Sequence, residues 1–226
     1  MKKIVITVDG WSSCGKSTMA RQLAKKLNYI FVDSGAMYRA ITLFFIRNQV
    51  DCTDKQAISS ALAQVHLSFQ LNEGSGNNEI WLNNENVASL IREMPVAEKV
   101  SEVAALGEVR EFAVAQQQLI GAEKGIVMDG RDIGTAVFPD AELKIFMTAD
   151  IVVRVERRWK ELKTKYPELS IQEVSDNLAS RDHADSTRAI SPLRKPEDAL
   201  VLDNSHLTPS EQLELALDWA NEKINN

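Results

Sequence analysis

Gly10-Trp11-Ser12-Ser13-Cys14-Gly15-Lys16-Ser17-Thr18 fits G-x-x-x-x-G-K-[ST], a spacing whose chemistry is the gripping of phosphate. Backbone N–H groups from Ser13 to Thr18 can turn inward around a β-phosphate and join the positive end of a helix that starts there. Lys16 adds a mobile point charge for the β- and γ-phosphates, and the Ser17 hydroxyl is the expected Mg²⁺ ligand. A surface glycine turn could match the same pattern. The apolar, β-branched run Ile4-Val5-Ile6-Thr7-Val8 before it and the helix-patterned stretch after it favour the phosphate loop.

The arginines extend that chemistry. A phosphoryl group in transfer, with its donor and acceptor, gathers several negative charges, so catalysis rests on positioning and neutralisation, and guanidinium groups must converge. Were the acceptor itself a phosphate monoester, with a second pKa of about 6, it would already be an ionised nucleophile. No histidine triad or carboxylate base is then needed, and His66, His183 and His206 read as unconnected surface or capping residues. Arg181, Asp185 and Arg188 are spaced i, i+4, i+7, one face of a helix if 181–188 is helical; a solvated salt-bridge face would show the same spacing. Arg154, Arg157 and Arg158 recur at i, i+3, i+4, which a plain charged helix would also show.

Elements able to position these groups are legible from periodicity. Helices are expected at 17–27 and 38–47, a strand at 29–32 ending at Asp33, and helical material over 87–123. The stretch 66–71 alternates with period two, 72–78 is turn-rich and 79–82 is again extended, which predicts a hairpin insert. Buried-strand signals at 125–128, 143–147 and 199–202 alternate with helices, so the fold class is α/β with a parallel sheet. Ligands in such sheets collect at the carboxyl ends of the strands. Asp9-Gly10, Asp33-Ser34-Gly35 and Asp129-Gly130-Arg131-Asp132 fall at those ends.

Composition narrows the function classes. The 226 residues are 44% apolar and 26% charged, enough for one main domain with inserts. A net charge of −6 argues against a nucleic-acid surface, which needs a basic face. No uncharged apolar run reaches the roughly 18 residues of a membrane span, and Met1-Lys2-Lys3 leads straight into the first strand, so a cytoplasmic protein is expected. Cys14 and Cys52 have neither metal nor disulfide spacing and are expected as reduced thiols.

Four motifs in order, Asp33-Ser34-Gly35-Ala36-Met37-Tyr38-Arg39, Asp129-Gly130-Arg131-Asp132-Ile133-Gly134-Thr135, Val137-Phe138-Pro139-Asp140-Ala141 and Arg181-Asp182-His183-Ala184-Asp185-Ser186-Thr187-Arg188, resemble bacterial cytidylate kinase over essentially the whole chain. The resemblance implies a P-loop NTPase-type sheet flanked by helices, with a lid and a hairpin-containing monophosphate-binding insert. It implies ATP as donor, Mg²⁺, CMP and dCMP as acceptors, and a monomer without nucleic-acid or membrane partners. The core would span approximately 1–60, 120–153 and 188–226, the insert approximately 61–119 and the lid approximately 154–187. Residues 10–18 would hold the donor phosphates, with Arg154, Arg157 and Arg158 closing over ATP. Arg39, Arg131 and Arg188 would clamp phosphate, Lys16, Arg131 and Arg188 forming the catalytic set. Ser34 belongs to the acceptor site, and Asp185 with Arg181 nearby would hold the ribose. Ser101, Arg110 and Asp132 would read cytosine: a carboxylate and hydroxyl suit its N4 donor, a guanidinium its N3 and O2 acceptors. Nine residues at about 100° put Ser101 and Arg110 on opposite sides of an unbroken helix; a break near Leu106-Gly107 would resolve this, and a helix running straight through would make at least one of the two assignments wrong.

The phosphate loop departs from the family, which usually shows proline at Trp11, glycine at Ser13 and a small residue at Cys14. Ser13 is therefore expected to keep an ordinary backbone conformation, and Trp11 either covers the loop or stacks near the acceptor. Competing classes are weaker. A regulatory GTPase would need D-x-x-G and N-K-x-D, which the sequence lacks, and a nonenzymatic nucleotide sensor has no use for an acceptor pocket of arginines. A UMP/CMP-type or other small-molecule kinase is the serious alternative.

Overall fold

The computed structural model describes residues 2–72, 74 and 77–226. In chain order the elements are β1 (Val5–Gly10), α1 (Lys16–Leu27), β2 (Ile30–Asp33), α2 (Ser34–Arg47), α3 (Lys55–Leu62), β3 (Leu67–Asn72), β4 (Asn77–Leu82) and β5 (Glu85–Asn86). They continue with α4 (Met94–Val103), α5 (Gly107–Gly121), β6 (Ile126–Asp129), β7 (Leu143–Thr148), α6 (Ile151–Lys163), α7 (Ile171–Thr187), β8 (Leu200–Asp203) and α8 (Pro209–Asn225). A 3-10 turn lies at Leu90–Arg92 and a π-helical turn at Ile133–Val137. Two compact units emerge: Met1–Phe31 with Glu123–Asn226, and Val32–Ala122.

The first unit is built on a five-stranded sheet of order β2-β6-β1-β7-β8, in which β1 pairs in parallel with β6 and β7, and β7 with β8. Every residue of β1 and β6 is buried, as expected of parallel strands covered on both faces. Helix α1 buries Met19, Ala20, Leu23 and Ala24 and α8 buries Ala216, Ala220 and Ile224, helical spacings that put each apolar face onto Ile4, Ile6, Val8, Leu143 and Ile145 in one core. Helices α6 and α7 carry a core of their own, Val155, Val174 and Leu178 flanked by Trp159, Leu162 and Leu169. The Trp159 indole N–H donates to Leu169 O at 3.0 Å, and a Ser170/Glu173 capping box starts α7.

In the second unit β3 and β4 form the predicted antiparallel hairpin, pairing Leu67 with Leu82 and Phe69 with Ile80, and β5 adds to β4. The turn expected at 72–78 lies partly outside the described residues. Helix α2 begins four residues earlier than the periodicity predicts. The Asp33 carboxylate accepts the Ala36 N–H at 2.8 Å, so a segment resembling a strand-end loop becomes a cap and first helical turn. Helix α3, absent from the expectations, is capped the same way by Asp54, which accepts from Gln56 N. The helical stretch 87–123 is broken where the Ser101–Arg110 geometry demands it: α4 stops at Val103, Leu106 is extended (φ −68°, ψ 131°) and α5 starts at Gly107.

Two residues at the end of β1 carry consequences. A Cβ on Gly10, whose φ is +145°, would lie 2.0 Å from the Met147 carbonyl oxygen, so Gly10→Ala should cost about 3 kcal/mol or more. Urea unfolding checks this; an unchanged midpoint would contradict the close approach. Asp9 accepts N–H bonds from Ile133 at 2.9 Å and Gly134 at 2.7 Å, capping the π-helical turn. Burial pushes its carboxyl from 3.8 up to about 6, aided by the Asp132 charge and opposed by those two bonds and by Lys16. The folded protein therefore binds this proton more tightly than the unfolded chain. Its stabilising contribution is complete below pH 3.8 and is lost as pH rises through about 6. Carbon-13 NMR of the Asp9 carboxyl should show a midpoint near 6, whereas one near 3.8 would mean that the N–H bonds offset burial.

Candidate functional site

The carboxyl ends of β1, β6, β7 and β8 set the site within the first unit. After β1 the chain turns through the phosphate loop, and α1 starts at Lys16 with Gly15 as its cap (φ 87°) and no side-chain oxygen on its first N–H groups. Those donors keep the positive end of the helix open to an anion. Ser13 has φ +60°, which corrects the expectation of an ordinary conformation: the loop keeps the left-handed shape that glycine adopts without strain and imposes it on serine. Trp11 is half-buried, and its carbonyl accepts from Lys16 Nζ at 2.6 Å and Cys14 Sγ at 3.0 Å. Thr18 is exposed on the first turn of α1.

Lys16 is 6% exposed. Burial and then the Arg131 charge lower its pKa, against the weaker opposing influence of Cys14, Asp129 and Asp9. Its hydrogen-bond partners among the described residues are the uncharged Trp11 carbonyl and Cys14 Sγ, so an incoming anion would relieve an ammonium the fold leaves undercompensated. The Ser17 hydroxyl donates to Asp129 Oδ2 at 2.5 Å at the end of β6. A hydroxyl and a carboxylate brought together at the first turn of the loop helix are hard oxygen donors suited to Mg²⁺, which binds few protein ligands and keeps waters and phosphate oxygens. Among the described residues no cluster of three or more His, Cys, Asp or Glu competes for a metal.

The arginines from the segment after β6 and from the end of α7 form an alternating chain with carboxylates, Arg131–Asp185–Arg188–Asp132, and Arg154 of α6 forms a separate pair with Asp182. Arg131 donates through Nε to Asp185 at 2.7 Å and through Nη2 to Ser12 Oγ at 3.1 Å. Packing opposes its charge, but Asp185 outweighs that and holds the guanidinium above its ordinary range. Arg188 donates to Asp132 at 3.0 Å and to Ser191 O at 2.7 Å, and its Nη1 stands 3.9 Å from Asp185. The shared face predicted for Arg181, Asp185 and Arg188 is corrected in one respect. Helix α7 ends at Thr187, and Arg188 is its cap with ψ 143°, so only Arg181 and Asp185 stay on the helix.

Of the arginines on α6, Arg154 donates to Ser12 O at 3.1 Å and to Asp182 Oδ2 at 2.5 Å. Arg157 grips Asn204, side chain at 3.0 Å and backbone at 2.9 Å. Arg158 pairs with Glu161 at 2.9 Å on the outside. Asn204 in turn donates to Cys14 O at 2.7 Å, tying the loop to the end of β8.

The second unit carries the remaining candidates. Arg39 pairs with Asp33 at 3.1 Å, and Ser34 is buried at the head of α2. Arg110 is buried, donates to Ala104 O at 3.1 Å and lies 5.4 Å from the centre of the Tyr38 ring. Ser101 is half-buried on α4. Sequence reasoning assigned no role to Asp9, Asp129, Asp182 or Asn204. For Asp9, Asp129 and Asn204 the signal is their place in the last two residues of a strand or just after one; Asp182 lies in the motif quoted from Arg181 to Arg188.

Comparison with known proteins agrees with the geometry. The cytidylate kinase family model matches residues 6–222. A cytidylate kinase of Bacteroides fragilis is 55% identical over 217 residues, covering 95% of each chain. Those of Bacteroides thetaiotaomicron (52% identical, 99% of this chain and 97% of the relative) and Parabacteroides distasonis (51% identical, 100% of each) extend the match. The chain belongs to the cytidylate kinase family.

Proposed function

We propose that the protein transfers the γ-phosphoryl group of ATP directly to CMP and dCMP, with Mg²⁺. The observation that carries this is Arg131, whose guanidinium bridges Ser12 of the phosphate loop and Asp185 of α7, so that donor cradle and acceptor-side cation belong to one hydrogen-bonded unit.

In this mechanism the loop N–H groups and the start of α1 hold the donor phosphates while Lys16 faces the β- and γ-oxygens. Ser17 and Asp129 would hold Mg²⁺, which when bound neutralises charge on the β- and γ-phosphates. The acceptor phosphate, already ionised, forms the new O–P bond as the bond from the γ-phosphorus to the β–γ bridging oxygen breaks, and ADP leaves with that electron pair. Arg131 and Arg188 neutralise the charge that spreads over the transferred group, with the planar, bidentate geometry a lysine lacks. Arg39 and Ser34 hold the acceptor phosphate, Asp185 and Arg181 the ribose, and Ser101, Arg110 and Asp132 read cytosine. Arg154, Arg157 and Arg158 belong to a lid over 154–187 whose closure excludes water from the transfer.

A coupled ADP-release assay with CMP, dCMP, UMP and AMP tests this reading. CMP and dCMP should turn over best, and a preference for UMP or AMP would reject it in favour of another small-molecule kinase. Asp132→Asn should relax the kcat/KM ratio of CMP to UMP by about tenfold, because an amide can donate to the uracil carbonyl that a carboxylate repels. Since Asp132 is also the partner of Arg188 at 3.0 Å, turnover of CMP should fall as well. An unchanged ratio would move base recognition to another group.

A further inference from the structure

We infer that Asp182 is a positioning residue of the phosphate loop, acting through the Ser12 peptide and Arg154. Both polar groups of Ser12 are held from the helical pair: its N–H donates to Asp182 Oδ1 at 3.1 Å, and its carbonyl accepts from Arg154 Nη1 at 3.1 Å. Arg154 and Asp182 close the ring at 2.5 Å, with side chains only 8% and 13% exposed. Charge-assisted bonds shielded from water in this way are the strong ones.

The ring pins the two peptide groups that flank the Ser12 Cα, the second of which leads into Ser13, the residue held at φ +60°. It also consumes the Ser12 N–H, so the donors left to grip phosphate begin at Ser13. The Ser12 hydroxyl accepts from Arg131. Displacing Ser12 would therefore disturb the donor cradle, while Arg131 keeps its ion pair with Asp185 at 2.7 Å. Asp182 and Asp185 stand three residues apart on α7, one on the loop and the other on Arg131. A single helical turn thus sets the spacing between the two halves of the charge network.

This inference rests on the proposed occupation of the loop by ATP, and the experiment separates the two. For Asp182→Ala and the isosteric Asp182→Asn, ATP affinity is measured by titration calorimetry without acceptor, and KM for ATP and for CMP is measured by ADP release, with melting temperature as the control for folding. Asp182→Ala should weaken ATP binding and raise its KM by about tenfold, leaving KM for CMP within about twofold. Asp182→Asn keeps an acceptor for Ser12 N–H but loses the charge facing Arg154, and should fall between Asp182→Ala and the unaltered protein. Unchanged ATP affinity in both variants, or equal rises in the two KM values, would overturn the positioning role. Failure of the unaltered protein to bind ATP would instead overturn the proposed function.

Discussion

Mutual repulsion among crowded cations is the constraint on which the site depends. Arg131 and Arg154 hold Ser12 of the phosphate loop and Arg188 stands beside Arg131 across Asp185, with side chains 21%, 8% and 10% exposed, and each would be costly there without a compensating charge. The fold supplies one carboxylate apiece: Asp185, Asp182 and Asp132. Guanidinium groups can thus be concentrated before any anion arrives. Lys16 differs, because its hydrogen-bond partners among the described residues carry no formal charge and its pKa is driven down by burial and by Arg131. The arginines are each paired with a carboxylate, whereas at Lys16 the opposing influence of Cys14, Asp129 and Asp9 does not offset burial and the Arg131 charge.

Sheet topology brings these groups to one edge. Parallel strands end on the same side, and the loop after β1, Asp129 and Arg131 from β6, Ala149 after β7 and Asn204 after β8 converge there as a result. The helical pair α6 and α7 adds its groups from a separate small core of three buried apolar side chains. With so little apolar area of its own, the pair depends on polar contacts such as the Arg154–Asp182–Ser12 ring and the Arg157–Asn204 bonds for its placement on the loop.

How much of this is legible depends on whether the signal is local. Strands buried on both faces are continuous apolar runs and amphipathic helices carry a 3.6-residue period, so β1, β6, β7, β8 and α1 can be read, and the break that the extended Leu106 provides is the one that would reconcile the roles the family resemblance implies for Ser101 and Arg110. Side-chain capping competes with turn chemistry in the same residue types, and for that reason Asp33-Ser34-Gly35 was read as loop and α3 was missed. Spacing on α6 could not rank its arginines: Arg154 and Arg157 turn to the loop and to Asn204, and Arg158 turns to Glu161. Pairings such as Arg154 with Asp182, 28 residues apart, leave no local pattern. They appear only when two helices pack.

Ser13 shows where local preference yields to tertiary contacts. A serine at φ +60° gives up about 1 kcal/mol or more relative to glycine, and such a conformation persists only where its surroundings overdetermine it. Here both flanks are fixed: Ser12 by the Arg154–Asp182 ring, and the Cys14 carbonyl by Asn204 at 2.7 Å. Gly15 then returns the chain to a second left-handed turn at φ 87°, and alternation of this kind makes successive N–H groups concave toward a common centre. In a glycine-rich loop the chain's own freedom would permit that shape; here external bonds enforce it. The left-handed residues of the cradle are thus held by bonds from α6, α7 and the end of β8, in the shape that preorganisation for an anion calls for.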